Sequence, residues 1–143
     1  MKMLIILEEA RAIIRATLER GRELDLKPLT VVVLDSGAHV IAAEREDGAS
    51  PGRFDIAHAK AYGAIMLGIG GRAQMARAES QAYFVNAMNG LFGGRFVPVP
   101  GGVLVRETGG AVIGAVGVTG DSSDNDAAAA EAGIASAGYQ AEA

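Results

Sequence analysis

Phe96–Gly133 reads FVPVPGGVLVRETGGAVIGAVGVTGDSSDNDAAAAEAG. Two apolar, β-branched runs, Gly101 to Glu107 and Ala111 to Val118, meet at Thr108-Gly109-Gly110. So short a connection predicts an antiparallel hairpin, because parallel neighbours need a long crossover. An alanine-rich helix follows from Ser123, with Gly138 as its stop. Ser123 and Asp126 fit the S-x-x-D form of a capping box, and Asp124 adds negative charge to the first turn, where the helix dipole favours it.

Working outward, the same grammar repeats upstream. Leu29 to Leu34 and Ala38 to Glu44 flank the turn Asp35-Ser36-Gly37 and predict a second hairpin. Leu7 to Leu26 carries apolar residues at three- and four-residue spacings (Leu7, Ala10, Ile14, Leu18), which predicts an amphipathic helix that Pro28 cannot continue. A helix runs from about Asp55 to Leu67, Gly68 to Gly71 breaks it, and Ala73 to Met88 resumes helical spacing up to Asn89-Gly90. Phe92 to Pro100, with two glycines and two prolines, reads as a shaped loop with room for an edge-strand segment. The expected fold class is α+β: an antiparallel β-sheet flanked by helices, order α-ββ-αα-ββ-α. The chain has 143 residues and no internal linker, which predicts a single domain over 1–143.

Composition narrows the function classes. There is no cysteine, so disulfides, thiolate metal sites and cysteine nucleophiles are excluded. Net charge is −4 and the isoelectric point about 5.1, so no basic footprint for nucleic acid or an anionic membrane exists. The N-terminal apolar run, Met3 to Leu7, is too short for a signal peptide, and no run approaches a bilayer span. A cytoplasmic location is expected. Mean hydropathy is +0.23 although only 5% of residues are aromatic, which points to apolar surface covered by a second copy of the chain.

Gly68-Ile69-Gly70-Gly71-Arg72-Ala73 matches G-x-G-x-x-A, but helix precedes it where a dinucleotide fingerprint needs a strand, so it reads as a helix–helix turn. Gly114, Gly117 and Gly120 read as sites of close packing, with a flat ligand against bare backbone as the alternative. Asp121, Asp124 and Asp126 lack the EF-hand pattern and read as capping groups; no metal site is expected. His58 lies on an apolar stripe with Ala61, Tyr62, Ile65, Met66 and Ile69. It is either a structural histidine or a ligand, and imidazole in an apolar setting suits haem iron. Lys60 and Arg72 are candidate partners for carboxylates. No serine has a nucleophile setting, and catalytic residues are not assignable.

The set Pro100-Gly101-Gly102, Gly109/Gly110, Gly114-Ala115-Val116-Gly117-Val118-Thr119-Gly120, Asp126, Ala130 and Ala132-Gly133 resembles the GlcG/HbpS-like family, also called the haem-degrading domain family. That family includes the C-terminal domain of some PduO-type proteins. The hairpin at Val33 to Gly37 and Ala57-His58-Ala59-Lys60-Ala61-Tyr62-Gly63-Ala64, in place of the family's A-x-x-K-A helix, extend the likeness over nearly the whole chain. The resemblance implies a sheet flanked by helices, a homo-oligomer, often an octamer, and haem as cofactor in some members. The leading expectation is an oligomeric haem-binding protein with slow haem degradation or redox and iron handling. Its candidate haem-binding residues are His58, Lys60, Tyr62 and Arg72, and Arg95, Gly101 and Gly102 form a candidate ligand loop. One alternative is an enzyme or accessory protein acting on a small organic acid, held by Arg53, Lys60, Arg72 or Arg95. The other is a non-catalytic assembly module.

Overall fold

The fold is built around one thin strand, the second of the C-terminal hairpin. In a computed structural model that describes residues 4–143, the elements run α1 (Leu7–Glu23), β1 (Thr30–Asp35), β2 (Val40–Arg45), α2 (Arg53–Leu67), α3 (Gly71–Ser80), α4 (Ala82–Leu91), β3 (Gly102–Arg106), β4 (Val112–Thr119), α5 (Ser123–Ser136) and β5 (Gln140–Glu142). Met3, the first residue of the N-terminal apolar run, lies outside the described residues. The five strands form one antiparallel sheet in the order β2-β1-β4-β3-β5. Both predicted hairpins are present, and β1 pairs with β4 to join them, with Val33 opposite Val116 and Leu34 opposite Ala115.

Alternation along the strands sends two different side-chain sets to the two faces. Val31, Val33, Val103, Val105, Val116 and Val118 meet Ile13 and Ile14 of α1 and Ile134 of α5, all fully buried. Each such aliphatic side chain contributes about 1.5–3 kcal/mol when buried, so this is the main core. On the other face, Val32, Leu34, Leu104 and Ala115 meet Ala57, Ala61 and Ala64 of α2.

The second face is thin because two strand residues have no side chain. A Cβ on Gly117 would stand 1.9 Å from the Ala57 carbonyl oxygen, and one on Gly102 would stand 2.2 Å from that of Lys60. Gly114 and Gly120 are likewise closed by backbone, so the strand glycines serve close packing.

Four details differ from the sequence reading. The helix expected over Ala73 to Met88 is two helices, because Gln81 leaves helical geometry (φ −141°, ψ 62°) and Arg77 Nε donates to its side-chain oxygen. The Phe92 to Pro100 loop contains no strand; the added edge strand is β5, beyond Gly138 (φ 85°). The α5 cap is Ser122, not Ser123: its Oγ accepts the Asn125 N–H at 3.2 Å. Asp126 does more than cap: in the first turn of α5 its Oδ1 accepts the Asp121 N–H just before the cap, and its Oδ2 is taken by Lys60. The Gly68 to Gly71 break is a helix–helix turn, with Gly68 in the left-handed conformation (φ 70°).

Candidate functional site

The fully buried residues of α2 are small apart from Lys60, and its bulky residues lie toward the margin or the outside, with Tyr62 and Ile65 still packed against the core. Phe54, His58 and Tyr62 are spaced four apart and stack along one face, with ring centroids 5.9 and 5.8 Å apart. Phe92, at the end of α4, meets Tyr62 edge-on at 5.8 Å, and Phe96 meets Phe92 edge-on at 5.6 Å. The result is a ladder of five rings with His58 near its open end.

Beside His58 lies a cavity of about 500 Å³, lined by Val40, Phe54, Asp55, Ala59 and the turn Gly93-Gly94-Arg95. That volume is in the range of small-molecule and cofactor sites. The turn reaches the helix because Gly93 and Gly94 both adopt positive φ (65° and 82°). It delivers the Arg95 guanidinium 4.2 Å from the Tyr62 ring centroid, where the ring's negative face attracts it. Arg95 Nε donates to the Phe92 carbonyl at 3.1 Å, which fixes the side chain above the ladder.

Burial lowers the pKa of His58, the nearby Arg95 charge lowers it further, and Asp55 opposes both. The imidazole is therefore neutral at pH 7, the form that binds a metal ion. A flat apolar wall, a neutral imidazole and an exposed cation at the rim together suit a planar, carboxylate-bearing group such as haem.

The structure brings His58, Tyr62 and Arg95 together. It puts Lys60 beneath the helix instead, 3% exposed, where Nζ donates to Val118 O at 3.0 Å and to Asp126 Oδ2 at 3.1 Å. Burial pushes Lys60 down and Asp126 up, while their mutual attraction resists both. Asp126 Oδ1 also accepts the Asp121 N–H at 2.9 Å, so the pair is hydrogen-bonded on both sides. Gly101 and Gly102 are buried against Lys60 and serve this strut. Arg72 bridges to α5 through Asp124 (2.7 Å) and Glu131 (3.5 Å) and lines no part of the cavity.

Phe54, Phe92 and Phe96 were missed in the sequence. Phe54 was readable as the residue four before His58. Phe92 and Phe96 were not, since only the loop's course brings them to Tyr62.

These features define a class: α+β proteins with a histidine-centred aromatic surface on a helix laid tight against an antiparallel sheet. The family follows from sequence. Residues 5–135 match the model described as haem degrading protein HbpS-like, and the chain belongs to that family.

Solved structures agree on the fold. A crystal structure of a PduOC:heme complex superposes with a TM-score of 0.86 at 20% identity, over 98% of this chain and 99% of that one. Klebsiella pneumoniae protein ORFY gives 0.84 at 24% identity, over 96% and 93%. A double mutant of Streptomyces reticuli HbpS gives 0.79 at 26% identity, over 95% and 88%. Comparison with curated protein sequences found no match.

Proposed function

We propose that the protein binds haem in the cavity beside His58. The observation that carries this reading is the His58 imidazole set in a stack of aromatic rings and facing that cavity. The similar PduOC fold was crystallised with haem, which supports it. His58 would hold the iron. Phe54 and Val40 would flank the macrocycle, and Arg95 would meet a propionate through charge-assisted hydrogen bonds. Lys60 and Arg72 have no part in this reading, because each is spent on an acid of α5.

Bound haem supplies an iron centre that carries electrons and activates oxygen. The chain's own contribution is to flank the group with the apolar ring ladder and to keep the imidazole in its neutral form. Slow oxidative degradation of the macrocycle is the finer activity we assign, on the strength of the family description.

A hemin titration tests the site. His58→Ala should abolish the Soret shift of the bound form and weaken binding tenfold or more. An unchanged spectrum and affinity would overturn the assignment. Degradation is read separately, as Soret loss with an electron donor and oxygen that outpaces free hemin.

The protein also forms a homo-oligomer in this reading, with an octamer as the count the family resemblance implies. Supporting it, α4 buries none of its residues, carries no charge and leaves Tyr83 and Leu91 each 73% exposed. Light scattering that reports a monomer at micromolar concentration would remove this part.

A further inference from the structure

A second cavity, of about 220 Å³, shares no lining residue with the one beside His58. Lys27, Ser50 and Arg53 line it, with the bare backbone of Gly48 and Gly120. Arg53, the first residue of α2, is half-buried here. Its Nη1 donates to Thr119 Oγ1 at 2.9 Å and its Nε to Ser50 Oγ at 3.3 Å. Both acceptors are neutral hydroxyls.

Like Arg45, Arg77 and Arg95, Arg53 is hydrogen-bonded to neutral groups, whereas other arginines hold an acid. Arg20, Arg22, Arg72 and Arg106 each reach a carboxylate. Arg53 reaches none among the described residues. Asp126, the buried acid of this region, is taken by Lys60. The charge of Arg53 is felt at Lys60, where it adds to the larger effect of burial in lowering the ammonium's pKa.

Only two of the five N–H donors of Arg53 are used. Lys27 adds a second cation, and Asp121 is tied to its backbone N–H at 2.9 Å. Directly across the β1–β4 pair from Thr119, the Thr30 hydroxyl is buried and has no partner. The Asp121 carboxylate lies near enough to Lys27 for their charges to interact, so the charge left without an acid at this corner is that of Arg53. A half-buried, uncompensated charge is costly unless something pairs with it.

We propose that this cavity is a binding site for a small oxyanion, a carboxylate or phosphate group. Arg53 grips its oxygens with the unused edge of the guanidinium, Lys27 adds charge from the rim, and Ser50 offers its hydroxyl. Both ligand types present paired oxygens that match an arginine fork. The volume lies below the ~300 Å³ at which drug-sized ligand sites begin, so it admits inorganic phosphate or a two- to four-carbon acid and excludes a macrocycle. The site is independent of the haem reading.

The test is an NMR titration of the full chain, labelled with nitrogen-15, against inorganic phosphate and, separately, malonate. Saturable shifts are expected at the Ser50, Arg53 and Gly120 amides. The anion that saturates at lower concentration identifies the ligand class. Arg53→Gln should weaken binding tenfold or more, and Lys27→Gln several-fold. Should Arg53→Gln fail to fold, Lys27→Gln carries the test, since that side chain is exposed. No saturable shift with either anion, or an affinity unchanged by Lys27→Gln, overturns the proposal.

Discussion

The two faces of the sheet are built on opposite principles. On the α1/α5 face, Ile13, Ile14, Ile113, Ile134 and a grid of valines hold the helices by bulk. On the α2 face, glycine and alanine hold a helix by proximity. The first arrangement contributes most of the hydrophobic stabilisation, because buried area per residue is larger. The second contributes little area but places α2 within backbone contact of β4. The consequence is functional: a helix that spends its small residues inward is left with Phe54, His58 and Tyr62 to present outward. The stable face and the candidate binding face are therefore separated by one sheet.

The comparison breaks first at Gly117. A Cβ there would stand 1.9 Å from Ala57 O and 2.9 Å from its carbonyl carbon, and backbone cannot rotate away as a side chain can. Gly117→Ala should cost about 4 kcal/mol or more, at the exceptional end for one substitution, by forcing α2 off the sheet. Denaturant unfolding measures it. Gly109→Ala, with nothing within 4 Å, is the control and should cost far less. Equal costs would show that α2 does not depend on the thin face.

Lys60 is a buried, charged strut on that face. Lys60→Met leaves the Asp126 carboxylate buried without its cation and should cost about 3–5 kcal/mol. Adding Asp126→Leu should recover much of that loss, since the unpaired charge goes with it. A single mutant as stable as the parent protein would mean that Asp126 takes up a proton at little cost.

The opposite face should respond in the ordinary way. Ile13→Ala, at a fully buried position, should cost about 3 kcal/mol through lost burial and a partly collapsed cavity. Hemin affinity should stay unchanged, because the sheet lies between Ile13 and His58. Loss of hemin binding with only mild destabilisation would couple the faces and break the separation drawn here.

How much of this was legible in sequence follows from the range of the interactions. The hairpins β1–β2 and β3–β4 were, since Asp35-Ser36-Gly37 and Thr108-Gly109-Gly110 are local turn signals between β-branched runs. The helix break at Gly68 was, for the same reason. The division at Gln81 was not, because helical spacing continues on both sides of a single non-helical residue. β5 was not, because Gln140, Ala141 and Glu142 carry no strand pattern and become a strand only by pairing with β3. At the site, His58 and Tyr62 were readable from their spacing. The true role of Lys60 was not: its acid, Asp126, lies 66 residues away on another helix. Sequence periodicity shows which face of α2 a residue occupies, and it does not show what that face meets.

The smallest effect concerns the open face alone. Burial, then the Arg95 charge, hold the pKa of His58 below its ordinary 6.5. The folded state thus binds fewer protons than the unfolded chain in the window just below pH 6.5. Stability and imidazole availability are intact above that window and fall as the pH drops through the depressed pKa. Arg95→Gln removes the second cause and leaves the first, so the midpoint should rise toward 6.5 without reaching it. Arg95 also faces the proposed propionate, so hemin affinity alone would mix two effects. An NMR titration of the His58 ring in the ligand-free protein separates them, since it reads the midpoint and nothing else. A midpoint that stays put or falls would show that the Arg95 charge is spent on the Tyr62 ring and solvent, and that burial alone keeps the imidazole neutral.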